Sequence, residues 1–267
     1  MTIWLALWIV ISVTLIGFLV WSLYTLYQQK TSWKAFAAKH KLRYKGNSLM
    51  QSPEMDGAID EYKISFFTGE HVNPDMRSLR KLTAVEIGLQ SVMPIEGAVA
   101  SGGMVELVKE MDMKFEIHPE HEGWNKAYIA RGSNRFVLEA YLTDERVSAL
   151  SKLMKMKNSW VILIFRKDRM LLRFDTPYPL VSKAQLEKIG QLMLKTAKIL
   201  ELGADEGKKL KAEEARGVVK DSALVLDEKS TEASDALTLE DDDEPAEEVS
   251  QDDVSESSEE NPEIEKE

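Results

Sequence analysis

The chain has no cysteine in its 267 residues. That removes disulfides, thiolate nucleophiles and cysteine-based metal sites from consideration, and it suits a reducing compartment. Histidine is scarce, with His40, His71, His118 and His121 as the full set. Only His118-Pro119-Glu120-His121 is a cluster, and Pro119 prevents helical presentation of the two rings, so an exposed strand end or turn is expected there rather than a metal site. The Gly- and Ala-rich run from Gly97 to Gly103 lacks the Lys-Ser/Thr pair of a phosphate loop and reads as a flexible connection. No G-x-S-x-G nucleophile elbow is present, and the acidic runs lack the Gly and spaced donors of a calcium loop. Carboxylate pairs such as Glu116/Glu120 and Glu139/Asp144 occur, but 25 acids in the first 220 residues supply such pairs by chance. No catalytic, cofactor-binding or metal-ligating residue is nominated, and the reading is of a protein that is not an enzyme.

Charge is missing from everything before Lys30. Ile3 to Tyr27 is an uninterrupted apolar run of 25 residues, about 37 Å as a helix, enough to cross a hydrocarbon layer of about 30 Å. Trp4 and Trp8 mark one end and Trp21, Tyr24 and Tyr27 the other, as interfacial aromatics do. A cleavable signal would need a basic start, a shorter apolar core and a small-residue cleavage site, none of which is seen, so a retained transmembrane helix is expected. Lys30, Lys34, Lys39, Lys41, Arg43 and Lys45 follow before the first acid, Glu54. By the positive-inside rule the N-terminus lies outside and the bulk of the chain in the cytoplasm, at a bacterial inner membrane.

The net charge of −11 hides a strong segregation. Residues 221–267 hold 20 acids against Lys229 and Lys266, a net of −18, while the juxtamembrane stretch is basic and the part between nearly neutral. No basic patch with interleaved aromatics appears away from the membrane, so a nucleic-acid partner is not expected. Five parts result: a transmembrane anchor (1–29), a basic juxtamembrane helix (30–45), an α+β domain (46–202), a charged linker (203–220) and a disordered acidic tail (221–267).

Thr31 or Ser32 can cap the juxtamembrane helix, with Trp33, Phe36, Ala37 and His40 on one face. Two arrangements fit: the helix lies on anionic headgroups, or Trp33 and Phe36 pack into the domain while the lysines set topology. Beyond it, Gly57–Asp60 and Tyr62–Thr68 read as strands joined through Asp60-Glu61, Gly69–Lys81 as a loop, and Leu82–Leu89 as a strand. Met113–Ile117 and Arg135–Tyr141 alternate as strands do. Thr143-Asp144 opens a helix to about Met156, Trp160–Phe165 is a central strand apolar on both faces, and Met170–Phe174 is its return strand with Arg173 outward. Ser182 with Gln185 forms a capping box for a helix from Lys183 to about Leu202. The fold class is therefore α+β: one N-terminal transmembrane helix, an antiparallel sheet covered by two main helices, and the acidic tail.

Trp33, Leu42-x-Tyr44, Pro53-x-Met55-x-Gly57, Thr83 and the closing helix–hairpin–helix of 144–202 resemble a loose family of uncharacterised bacterial proteins that join an α+β domain to membrane spans or other modules. These are packing and turn positions, and the resemblance implies a fold without an activity. The functional expectation is a single-pass membrane protein whose domain serves as an interaction or scaffold module. Its partners would be the bilayer, anionic lipids at the basic stretch, and basic proteins at the tail. The alternative is a tethered small-ligand-binding domain or an enzyme whose site is assembled from distant residues.

Overall fold

The computed structural model describes residues 2–46, 51–73 and 78–216, with backbone alone for Thr2, 70–73 and 78–80. The tail 221–267 lies outside the described residues, as do Pro74 to Arg77.

The first element, α1 (Thr2–His40), is one unbroken helix. The start expected at Thr31 or Ser32 is absent, because both hydroxyls are engaged elsewhere. The Thr31 hydroxyl donates to the Tyr27 carbonyl within the helix (3.0 Å), and the Ser32 hydroxyl donates across to the Val181 carbonyl (2.6 Å). The N-terminal part is long and apolar enough to cross a membrane, and none of its most apolar stretch is buried inside the protein. Thr14 and Thr25 return their hydroxyls to the carbonyls of Val10 and Trp21, which satisfies these two donors within the helix. The other end is interior. Trp33, Phe36 and Ala37 are buried, and the rings of Trp33 and Phe36 meet Phe66 edge-on at 6.1 and 5.4 Å. The arrangement with Trp33 and Phe36 packed into the domain is the one adopted. The helix stops at Lys41, whose φ of +55° lets the Leu42 amide donate back to the Ala37 carbonyl (2.9 Å) while Leu42 turns inward.

A nine-stranded sheet follows, antiparallel throughout. Its strands are β1 (Arg43–Lys45), β2 (Glu54–Ile59), β3 (Tyr62–Asn73), β4 (Ser78–Leu89), β5 (Gly97–Ala100), β6 (Phe115–Ile117), β7 (Ile129–Gly132), β8 (Trp160–Phe165) and β9 (Met170–Thr176). In space the order is β1-β2-β3-β4-β9-β8-β5-β7-β6. Among the described residues the domain also has α2 (Met104–Glu110), α3 (Arg135–Tyr141), α4 (Asp144–Met154), α5 (Lys183–Leu200) and a last helix over 204–216. Asp60 and Glu61 both have positive φ and make the tight β2–β3 turn, as expected.

Period-two alternation assigns the two faces of the sheet. Ile64 and Phe66, Val85 and Ile87, Leu172 and Phe174, and Val161, Leu163 and Phe165 enter one core with α3, α4, α5 and the end of α1. The intervening positions on β8, Trp160, Ile162 and Ile164, enter a smaller cluster with Met104 and Val108 of α2 on the opposite face. The doubly apolar reading of β8 is thus observed, and α4 and α5 are the main covering helices.

Four local expectations are corrected. The strands β3 and β4 run well into the stretch read as a loop, pairing out to Asn73 with Ser78. The Gly/Ala run is no flexible connection, since β5 pairs with β7 on one side and β8 on the other. Its small residues reflect crowding: a Cβ on Gly97 would meet the Phe165 ring, and one on Gly102, held at φ +60°, would meet Trp160. Arg135–Tyr141 is helix α3, started by Asn134, whose side-chain oxygen accepts from the Val137 amide (3.3 Å). Its buried residues, Val137, Leu138 and Tyr141, follow helical spacing, and the apparent alternation through Phe136 was coincidental. Ser182 does precede α5 as its N-cap residue, but the expected capping box is not formed: its side chain makes no hydrogen bond to the helix start.

After α5 the chain breaks at Glu201 and resumes as helix over residues 204–216. Arg146 of α4 fastens this return. Its guanidinium donates to the carbonyls of Tyr141 (3.0 Å), Ile199 (3.2 Å) and Glu201 (2.8 Å) and to both carboxylate oxygens of Glu206. It also lies over the Tyr141 ring, 4.5 Å from the centroid, and the Tyr141 hydroxyl donates to the Leu200 carbonyl (3.0 Å). Burial works against the Arg146 charge but Glu206 outweighs it, and the same hydrogen bonds hold the Glu206 carboxyl below its ordinary value.

Replacing Trp33 by Ala removes the largest side chain of the α1–sheet contact. It should cost about 3–5 kcal/mol in chemical denaturation of the detergent-solubilised protein followed by circular dichroism. A headgroup-lying helix would instead make the substitution nearly neutral for domain stability.

Candidate functional site

Three places in the molecule concentrate polar chemistry. The first is the junction between α1 and the domain. Trp4, Trp8, Trp21, Tyr24 and Tyr27 are all more than half exposed along the helix, where a bilayer would meet them. The six basic residues that follow are divided among different tasks. Lys39 and His40 share Glu187 of α5 (2.6 and 3.1 Å), and together they hold that carboxyl below its ordinary value against the opposing effect of burial. Arg43 and Lys45 of β1 share Asp56 of β2 (2.5 and 3.4 Å), Arg43 from directly opposite and Lys45 diagonally from its place opposite Glu54. Lys30 is half-buried, whereas Lys34 and Lys41 are exposed and form no ion pair among the described residues. Lys41 is 14 positions beyond Tyr27, about 21 Å along the helix, and so more than two Debye lengths past the aromatic boundary at physiological salt.

The second place is the sheet face opposite the main core. Among the described residues α2 covers only β5, β7 and β8 on this side, and the face of β2, β3, β4 and β9 is half-exposed around Phe67, Glu86 and Arg173 and buried at Leu82, Ala84 and Asp175. At its centre Arg173 donates to Glu86 (3.1 Å) and to both oxygens of Asp175 (2.9 and 3.0 Å). Strand register brings this about, because Glu86 of β4 faces Arg173 of β9 directly, while Asp175 lies two residues further along the same face. The guanidinium also lies 5.4 Å from the centroid of the Phe67 ring on β3. Burial opposes the Arg173 charge, yet the two carboxylates raise its pKa; burial likewise pushes Glu86 up despite the adjacent guanidinium. A planar donor fork fixed between two acids, beside an aromatic ring, presents a rigid mixed polar and apolar patch.

The third place gathers the carboxylates singled out in the sequence. Glu116, Glu120, Glu139 and Asp144 line one cleft of about 600 Å³ together with His118 and Arg135. His118 stands 3.5 Å from Glu116, and Arg135 pairs with Glu139 at 2.7 Å. His121 faces elsewhere, its Nδ1 accepting from the Gly123 amide (2.8 Å), and His40 is bound to Glu187. Among the described residues no group of three or more His, Asp or Glu is close enough to hold a metal ion. The side chain of His71 lies outside the described residues. Trp160 packs against α2, and half-buried Trp124 stacks edge-on with Tyr128 at 5.7 Å.

Sequence reasoning placed Arg173 outward but missed Glu86 and Asp175 as its partners. The signal was there: Glu86 interrupts the Val85/Ile87 stripe as Arg173 interrupts the Leu172/Phe174 stripe, and antiparallel pairing opposes such interruptions. Arg146 carried no signal, since apart from Tyr141 its partners come from segments 53 to 60 residues away.

Arg173→Met leaves Glu86 and Asp175 without their shared cation and should destabilise the domain by about 3–5 kcal/mol at pH 8. With the guanidinium gone, the pKa of Glu86, already raised by burial, rises further in the folded state. The loss should therefore be largest at high pH and shrink as pH falls through that value, which denaturation curves between pH 8 and pH 5 would reveal. A pH-independent loss would mean that packing alone is at stake.

The residues behind the family resemblance are structural in place as well as kind: Trp33, Leu42, Met55 and Thr83 are buried, and Gly57 lies against Leu42. No family model matches this chain, and no curated protein does.

Proposed function

We propose that the protein is a single-pass membrane protein whose cytoplasmic α+β domain is a non-enzymatic interaction module, held at a fixed distance from the bilayer and followed by an acidic segment that engages basic partners. The observation that carries this reading is the continuity of α1, whose exposed apolar half and buried Trp33–Ala37 half belong to one helix. The sheet face around Phe67, Glu86 and Arg173, half-exposed among the described residues, supplies a surface for a partner. The charge of residues 221–267 supplies a salt-sensitive attraction for a basic one. The positive stretch after Tyr27 supports an N-terminus outside the cytoplasm at a bacterial inner membrane. Kinship with the loose bacterial family of tethered α+β domains belongs to the same proposal.

Carbonate-resistant sedimentation of the full chain with the membranes is the expected result, as is protection of its C-terminal bulk from protease added to intact spheroplasts. Recovery in the soluble fraction would end the proposal. Deletion of residues 221–267 should abolish those co-purifying proteins that high salt also removes; if none is lost at low salt, the acidic segment has no part in recruitment.

The alternative, a tethered small-ligand-binding domain or enzyme, draws on the cleft where Glu116, Glu120, Glu139 and Asp144 converge. Four carboxylates against Arg135 and His118 favour a cationic ligand. A polyamine that raises the unfolding temperature of the wild type by several degrees, but not that of Glu120→Gln, would support this reading over the first.

A further inference from the structure

The end of the domain nearest the apolar half of α1 carries a pocket of about 180 Å³, lined by Met156, Phe174, Leu180 and Ile189 together with Lys157 and Lys188. Its position relative to α1 is fixed by two hydrogen bonds. The Trp33 indole donates to the Leu180 carbonyl (3.1 Å), and the Ser32 hydroxyl donates to the Val181 carbonyl (2.6 Å). Ser32 lies eight positions past Tyr24, about 12 Å along the helix. A headgroup layer extends about 5–7 Å beyond the hydrocarbon on each side. With Tyr24 at the hydrocarbon edge, the loop bearing Leu180 and Val181 stands about 5 Å beyond the headgroups, within a Debye length of about 8 Å.

The chemistry at this end is one-sided. The stretches Arg146–Lys167 and Thr176–Leu186 contain no acid at all. Of the two acids that border the second stretch, Asp175 is paired with Arg173 and Glu187 is committed to Lys39 and His40. Lys157, Lys183 and Lys188 are exposed and form no ion pair among the described residues. Tyr178, also lining the pocket, is 50% exposed, and its hydroxyl accepts from the Asn158 amide group at 2.6 Å. An amphipathic ring beside unpaired lysines is what a protein surface presents to phospholipid headgroups.

We propose that this end of the domain is a second membrane contact: Lys157, Lys183 and Lys188 hold the phosphate-bearing headgroups of anionic phospholipids in the bilayer that α1 enters, and Tyr178 rests among them. The inference builds on the reading of α1 as a span and moves the lipid-binding role away from Lys39, Arg43 and Lys45, which are already paired within the domain. Each lysine at the surface is worth about fivefold in the ratio of docked to undocked domain.

The absence of cysteine allows the test to be made with single labels on the full chain. A fluorophore at Ala184→Cys, in the first turn of α5, is read in nanodiscs whose lipids carry a headgroup nitroxide. One at Val13→Cys, in the middle of the apolar run, is read against an acyl-chain nitroxide. The expected result is quenching at position 184 at least twofold stronger with phosphatidylglycerol present than in phosphatidylcholine alone. That difference should vanish in high salt and in K157Q/K183Q/K188Q, and return in K157R/K183R/K188R. Equal quenching in the two lipids, or quenching untouched by the glutamine variant, overturns the contact. If position 13 is quenched while position 184 shows no lipid dependence, only this inference fails. An unquenched position 13 overturns the span as well.

Discussion

Everything in this structure depends on α1 passing from exposed apolar surface into the protein core without a break in its hydrogen-bond ladder. A hinge after the apolar half would leave the domain free to tumble. Here Trp33 and Phe36 are clamped against Phe66 and the Gly190 backbone of α5, and Ser32 and Trp33 are bonded to the loop that precedes α5. Reorienting the domain relative to the helix would mean extracting two aromatic side chains from the core, several kcal/mol by the cost of losing such burial. The helix and the domain move together, and whatever the domain presents is presented at a set height.

Charge pairing completes this frame. The basic stretch that looks like one polybasic segment in the sequence is divided in space, with Glu187 taking Lys39 and His40, and Asp56 taking Arg43 and Lys45. These exposed pairs add little stability individually. Among the described residues they leave Lys34 and Lys41 of this stretch without an ion pair, as Lys157 is on the turn after α4 and Lys183 and Lys188 are on α5. The buried guanidinium of Arg146 and the half-buried one of Arg173 differ in kind. Arg146 spends its donors on carbonyls and Glu206 inside the helical layer, whereas Arg173 sits between two acids on the sheet face opposite the main core, with an aromatic ring alongside.

The closing half of the domain was legible in sequence because its periodicities are long and clean. The stripe of α4, the doubly apolar β8, the alternation of β9 and the eighteen-residue α5 are all found where expected. Misreadings fall where the pattern is short or where tertiary crowding dictates the residue. Gly97–Ala100 resembles a loop because Phe165 leaves no room for larger side chains, although the strand lies inside the sheet. Seven residues of α3 satisfy both periods by accident, and Asn134 was the deciding signal. The carboxylates of the cleft were visible as residues, but their convergence needed the β6–α3 packing that no local pattern encodes.

The Arg146 clasp also gives the protein a load path. Tension applied to the chain beyond residue 216 is borne first by the helix of 204–216, whose grip on the domain consists of Glu206 on Arg146 and the buried Leu210. From Arg146 the strain passes to the end of α5, and through α5 to α1. A pull that parts Glu206 from Arg146 removes the guanidinium's carboxylate partner, while its bonds to the carbonyls of Tyr141, Ile199 and Glu201 still tie α4 to the end of α5.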